Sequence, residues 1–383
     1  MQLLTGNPTA ALESVQAALS AAPAHPRLAA TAAYALSAAG DRQGALGAIG
    51  RGLEAHEGEP ILLVARARVH ARAAEWDAAY QDFESAADAT SSDPQICTER
   101  GQAARALGHL DQAREAYAAA LAIDPRSARA LVSLLGVQVE THDLEGAGQS
   151  LTRIDEAHFV SAEIDHLRAR WLVEGNAGDA GIPRVQEAIG RSPEDGELRM
   201  ALARLYYQAE RWSDAADAFY AAISRSADRR LALGMRAIAL ARGRRAPTVE
   251  PTLDQLRNAA TAEAPLTPRD QAMVNVATAW VQWYDDAYGR VGIFARQALD
   301  AVPSDVDATL VLAYVDEQAH RDPTPRLTTI RDQSIEARGW LVSLTTGALD
   351  AAGCADARAY LRAAPEGRFA HDLSARVTGC AAP

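Results

Sequence analysis

Apolar and small residues along this chain return with the period of a helix, and the helices themselves return every 34 residues. The stretch from Pro94 to Pro125, PQICTERGQAARALGHLDQAREAYAAALAIDP, shows the pattern most clearly and predicts two helices. The first closes at Leu107-Gly108, where glycine supplies the left-handed conformation that ends a helix. Asp111 stands near the start of the second, at the positive end of its dipole. Ala113, Tyr117 and Ala120, spaced by four and three, share one face of that helix. Pro125 stops it, because proline cannot continue the hydrogen-bond ladder. The same phase recurs at Ala11, Ala45, Ala79, Ala113, Ala147, Gly181 and Ala215, and a period in this range marks a stacked repeat array.

The conserved phase has a steric meaning. Where two helices of a hairpin cross closely only a small side chain fits, so Gly101 on the first helix and Ala113 and Ala120 on the second are read as contact points, with Tyr117 filling the gap. Ala79, Phe83 and Ala86 repeat this after Trp76, and Ala215, Phe219 and Ala222 repeat it after Trp212. A small residue also recurs on the first helix at Ala33, Ala67, Gly101, Ala169, Ala203 and Ala237. With the 34-residue length, the aromatic four residues after the phased alanine and the closing proline, the chain resembles the tetratricopeptide repeat family from about Ala11 to Ala222. That resemblance implies an all-α, right-handed solenoid of about ten antiparallel helix pairs, with the first helix of each pair lining a concave groove.

The ruler also shows where regularity ends. Residues 1–25 read as the second helix of an incomplete first repeat, whose bare apolar face is expected to dock on a partner or on sequence that is missing. Residues 26–229 read as the regular array, and 230–383 as divergent helix pairs closed by a capping helix. Leu135 stands at one small position, and Gly181 and Val185 stand where alanine and an aromatic are expected. Val249 holds the phased position of a later pair, whose linker RGRRAPTVEP reads as longer, with RGRR at 242–245 an exposed loop. About eight further residues, ATAEAPLT, then shift the register.

Laid on the family's geometry, repeat positions 2, 9, 12 and 13 of the first helices place Tyr34, Arg68, Arg72, Gln102, Arg105, Arg129, Arg170, Arg204 and Tyr207 on the concave face, together with Arg27 and Arg242. This is a local excess of arginine in a chain of net charge −12. Guanidinium forks pair bidentately with carboxylates. The groove is therefore expected to take an acidic or C-terminal peptide segment of a protein partner, with Tyr34 and Tyr207 as anchors. A solvated helix face, its arginines matched by glutamates such as Glu140, Glu163 and Glu174, is the competing reading of the same residues.

The acidic balance argues against nucleic acid and anionic membrane as general partners, and no stretch is apolar enough to insert in a bilayer. All 38 basic residues are arginine, which fits a bacterial chain from a GC-rich genome. No metal, cofactor or nucleophile motif is present, so no cofactor and no enzymatic activity are expected. Of three cysteines, Cys97 reads as a buried apolar residue. Cys354 and Cys380 flank the last helices and are open to two readings: a bridge stapling the terminal cap, or two free thiols. A bridge favours a bacterial periplasm or envelope over the cytoplasm. The functional expectation is a non-catalytic interaction scaffold or adaptor of a bacterial envelope or secretion assembly. The alternatives are a regulatory or sensor subunit that binds a peptide or small ligand, and an accessory part of an enzyme whose catalytic domain lies elsewhere.

Overall fold

The computed structural model describes residues 22, 24–261 and 263–380. The expected N-terminal half repeat, including Ala11, lies almost wholly outside the described residues. The rest is helix and short turns, in two compact units, residues 1–159 and 160–383.

In the first unit the pairs are α1 (Pro26–Ala38) with α2 (Arg42–Ala55), α3 (Pro60–Arg72) with α4 (Trp76–Ser85) and the one-turn α5 (Ala87–Thr90), α6 (Pro94–Ala106) with α7 (Leu110–Ile123), and α8 (Ala128–Glu140) with α9 (Leu144–Glu156). The second unit pairs α10 (Ala162–Glu174) with a 3-10 turn (Gly178–Gly181) and α11 (Ile182–Arg191), then α12 (Gly196–Gln208) with α13 (Trp212–Ala222), and α14 (Arg229–Arg242) with α15 (Ala246–Asn258). It continues with α16 (Pro268–Tyr284) and α17 (Tyr288–Ala301), α18 (Val306–Gln318) and α19 (Thr324–Ile330), α20 (Ile335–Leu344) and α21 (Ala351–Ala363), and ends on α22 (Ala370–Val377). These ten pairs make the chain an all-α, tetratricopeptide-like array.

The 34-residue ruler is visible in the backbone. First helices begin at residues 26, 60, 94, 128, 162 and 196. Proline opens three of them, where its missing N–H costs nothing, and Asp93, Ser127, Ser161 and Asp195 cap four by accepting from the first free amides. Each first helix hands over to its partner through a residue at positive φ: Gly40, Ala74, Gly108, His142, Asn176, Glu210 and Arg244, all 34 apart. The next, Asp286, comes 42 residues later, and His320 then restores 34. The extra eight residues are those expected from ATAEAPLT. They precede α16, and Arg230 holds them by donating to the carbonyls of Ala259 (3.2 Å), Ala264 and Pro265 (2.9 Å).

The phased alanines Ala45, Ala79, Ala113, Ala147 and Ala215 are completely buried, as is Val291, 42 residues beyond the buried Val249. At the crossing of α6 and α7 a Cβ on Gly101 would stand 2.6 Å from the Tyr117 ring, so the tyrosine requires the glycine. Gly339 and Tyr360 repeat the arrangement between α20 and α21, where a Cβ would stand 2.3 Å from the ring. The reading of RGRRAPTVEP as a long linker with RGRR exposed is corrected: Arg242 is the last residue of α14 and is buried, only Gly243–Arg245 form the turn, and APTVEP lies inside α15. Proline tolerance in the first helical turn misled that reading, and Pro251 further along forfeits one ladder bond without ending the helix. No helix among the described residues is long and apolar enough to cross a membrane.

Candidate functional site

In the first unit, the equal spacing of α1, α3, α6 and α8 aligns equivalent side chains in rows. Tyr34 and Arg68 are one repeat apart, and the Arg68 guanidinium donates to the Tyr34 hydroxyl at 3.0 Å while lying 5.7 Å from its ring centre. Arg68 also donates to Glu99 at 2.7 Å. Burial works against its charge, but the hydrogen bond it donates to Glu99 and the nearby Tyr34 outweigh that and hold its pKa above the ordinary value. Arg129 donates to Gln102 at 2.9 Å, and Arg72 makes only a long 3.5 Å bond to Ser37. Tyr34, Arg68, Arg72, Gln102 and Arg129 all line one groove of about 740 Å³, floored by Val69 and Phe83. Arg105 is not brought into it: its guanidinium lies over Gly136 and pairs with Glu140 at 3.0 Å.

Within this groove the arginines differ in what they can still bind. Arg68 already has a carboxylate. Among the described residues, Arg72 and Arg129 have only neutral hydrogen-bond partners, so their charge remains open to an incoming anion. Glu99 escaped notice in the sequence because it sits three residues before the 34-residue offset from Arg68.

The second unit treats its inner positions differently. Arg170 pairs with Glu174 at 2.6 Å and lines a cavity of about 400 Å³ with Arg204. Tyr207 donates its hydroxyl to Asp307, and burial chiefly raises its pKa well above the usual range, so it is engaged internally. Arg242 lies with its guanidinium 3.8 Å from the ring centre of Trp212 and 4.7 Å from that of Trp280, donates to Glu336, and stands 3.7 Å from Asp307. Burial opposes the charge on Arg242, yet Glu336 and its neighbours hold its pKa well above the ordinary value. Tyr314 adds a second hydrogen bond to Glu336.

The last helices of this unit return to its first ones. Glu210, at the positive-φ turn after α12, accepts from the Tyr360 hydroxyl at 2.6 Å and from the Arg368 backbone N–H at 2.9 Å. Burial and the charge of Glu336 push the Glu210 carboxyl up to about 7, against the pull of those two donors. Burial likewise raises Asp307 to about 6, with Arg242 opposing. Gly178 is required where α21 closes in, because a Cβ there would stand 2.2 Å from the Ala363 carbonyl oxygen. Arg368 lies 4.5 Å and 4.8 Å from the Tyr314 and Trp340 ring centres and pairs with Glu317 at 3.1 Å. Cys354 on α21 is bonded to Cys380 beyond α22, across 26 residues, while Cys97 is buried and free. Burial raises the Cys97 pKa, which keeps it a thiol. Among the described residues no group of three or more His, Cys, Asp or Glu side chains is placed to hold a metal ion.

Paired helices at a 34-residue step, broken once, with small residues at the crossings and inner rows of arginine and tyrosine, define a helical-hairpin repeat protein. The chain carries tetratricopeptide repeats: that family matches at residues 94–127 and 167–230. Among solved structures it is similar to a tetratricopeptide repeat protein from Parabacteroides merdae, at 15% identity over 76% of this chain and 98% of that one, with a TM-score of 0.45. It is also similar to YrrB, described as a TPR protein with an unusual peptide-binding site, at 15% identity, 59% and 95% coverage and a TM-score of 0.38. Yeast Tom70 is similar at 11% identity, 98% and 92% coverage and a TM-score of 0.40. No curated protein matches the chain.

Proposed function

We propose that the groove of the first unit binds an extended acidic or C-terminal peptide segment of a partner protein, and that the chain serves as a scaffold or adaptor rather than a catalyst. The observation that carries this reading is the gathering of Tyr34, Arg68, Arg72, Gln102 and Arg129 around one groove of about 740 Å³. Arg72 and Arg129 supply the open positive charge, Gln102 a polar contact, and Tyr34 with Trp76 the apolar surface. Arg68 is a positioning residue in this scheme, tied to Glu99 and holding the Tyr34 ring. Fluorescence anisotropy with a labelled acidic heptapeptide bearing a free C-terminus tests it. Arg72→Glu and Arg129→Glu should each weaken binding by about tenfold or more, since a bidentate charged contact contributes on that scale. Unchanged affinity in both variants refutes the groove.

The bond between Cys354 and Cys380 supports an oxidising setting, such as a bacterial envelope, for the working protein, because structural disulfides persist there and are rare in the cytosol. Intact mass measured without reductant on protein taken from its native cells tests this. Two free thiols in that material would place it in a reducing compartment.

A further inference from the structure

The second unit has a second, half-open cavity beside the one already described. It has a volume of about 210 Å³ and shares Val173 and Arg204 with its neighbour of about 400 Å³. One wall comes from α12 and α14, through Tyr207, Met235 and Arg242, and the other from α18 and α20, through Val306, Leu310 and Ile335. The charged groups around it are mutually satisfied: Arg242 by Glu336, Asp307 by Tyr207, and Glu210 by Tyr360.

Arg204 is the exception. It stands where the two cavities meet, and among the described residues no acceptor takes a hydrogen bond from it and no carboxylate reaches ion-pair distance. Glu197 and Asp228 act on it only through space, Arg269 repels it, and burial is the main reason its pKa falls below the ordinary value. Asp228 is itself occupied, accepting from the Leu231 amide at 2.9 Å and from Arg269 at 3.4 Å. A half-buried guanidinium with its fork open to a cavity is a receptor for a planar anion.

We propose that this interior binds a small monocarboxylate with a compact apolar or aromatic body, its carboxylate on the Arg204 fork and its body between Met235 and the Val306, Leu310 and Ile335 wall. Size sets the upper bound. An apolar cavity of about 150 Å³ accommodates benzene, so the inner space holds a molecule the size of benzoate, with the carboxylate at the mouth shared with the outer cavity. Charge sets the class. Asp307 and Glu336 on the inner side, and Glu174, Glu197 and Asp228 on the outer side, disfavour a second negative group, which excludes phosphates and dicarboxylates. Because its walls come from both early and late helices of the unit, the ligand would join them and raise the melting temperature of this unit. The site is independent of the peptide groove in the first unit.

Calorimetric titration of the full chain with benzoate, benzamide, 4-methylpentanoate and inorganic phosphate tests the proposal. Saturable benzoate or 4-methylpentanoate binding is expected at millimolar affinity or tighter, with benzamide and phosphate at least about tenfold weaker. Arg204→Gln should lose that binding, Arg204→Lys should weaken it by about tenfold because the charge stays while the fork is lost, and Arg72→Glu should leave it untouched. No saturation with either acid up to about 10 mM, benzamide binding as well as benzoate, or unchanged binding in Arg204→Gln overturns it. The benzoate and benzamide comparison on the unaltered protein decides the matter even if the Arg204 variants fold poorly.

Discussion

Replacing Arg242 with methionine isolates what the buried charge cluster contributes to the second unit. Methionine keeps the length and apolar stem of the side chain and removes the guanidinium. Arg242 is only 6% exposed and its partner Glu336 only 4%, so Glu336 would be left as a buried carboxylate, and Asp307 as a half-buried one, without that cation. Breaking one side of a buried ion pair costs about 3–5 kcal/mol, and loss of the stacking on Trp212 and Trp280 adds on the order of 1 kcal/mol. Asp307, already raised to about 6 by burial, can escape by taking up a proton, and each unit of pKa is about 1.4 kcal/mol. The cost should therefore be full near pH 7.5 and smaller by roughly 1–3 kcal/mol near pH 5. Urea denaturation followed by tryptophan emission is the assay, since Trp171, Trp212, Trp280, Trp283 and Trp340 all lie in the second unit and only Trp76 in the first. The double variant Arg242→Met with Glu336→Leu removes both charges and should recover at least about 2 kcal/mol of the single-variant loss. A loss below about 1 kcal/mol for Arg242→Met, or additive effects in the double variant, would show that the cluster is not the closed ion pair described here.

Three further outcomes follow from particular residues. Ala113→Leu, at a completely buried helix crossing, should cost about 1–3 kcal/mol, with hydrogen-exchange protection lost around α6, α7 and α8 and retained in α16 to α18, because repeats contact only their neighbours; an unchanged melt would mean the crossing is misassigned. Ala74→Gly should stabilise the first unit by about 0.5–1 kcal/mol, since Ala74 is exposed and sits at a φ of 56°, where an L-side chain is strained and glycine is not; a lower melting temperature would count against this. Glu210→Gln should flatten the pH dependence of the second unit. The carboxyl rises from 4.5 to about 7 on folding, so the folded state holds its proton more tightly. The resulting stabilisation is complete below about pH 4.5 and is lost as pH rises through about 7, a swing on the order of 2–3 kcal/mol. A slope between those values that survives the substitution would assign it elsewhere, Asp307 being the next group, over a lower window ending near 6.

Much of the fold was legible because it rests on sterics that a residue type announces. A phased alanine at a crossing, a proline in the first helical turn and a glycine facing a tyrosine each leave a mark in the sequence, and the eight-residue slip appears in the backbone as the one 42-residue step between positive-φ turns. The turns themselves were mostly invisible, since alanine, histidine, asparagine, glutamate and arginine occupy the left-handed position as well as glycine. Tertiary packing overrides their local preference. For the site, the row of inner positions predicted the groove lining around Tyr34, Arg68, Arg72, Gln102 and Arg129. It misjudged the surroundings of Arg242, because Glu336 and Trp280 come from helices whose register no longer follows the repeat.

Equivalent repeat positions thus carry side chains with different physical roles, and the difference lies outside the repeat. Arg72 and Arg242 both occupy the thirteenth repeat position, and each is the last residue of a first helix. Arg72 faces a groove, with a 3.5 Å bond to Ser37 as its only described hydrogen bond. Arg242 is enclosed by Trp212, Trp280 and Glu336, the last of these 94 residues further along the chain. A guanidinium left alone behind such rings would be too costly to bury, so Glu336 and the late helices that bring it make the buried state possible. The same comparison separates Arg68, neutralised by Glu99 in the next repeat, from Arg204, whose through-space neighbours Glu197 and Asp228 stop short of pairing. The reach of the nearest carboxylate, more than the repeat position, therefore decides whether an arginine holds the fold together, as Arg242 does, or keeps its charge open, as Arg72 and Arg204 do.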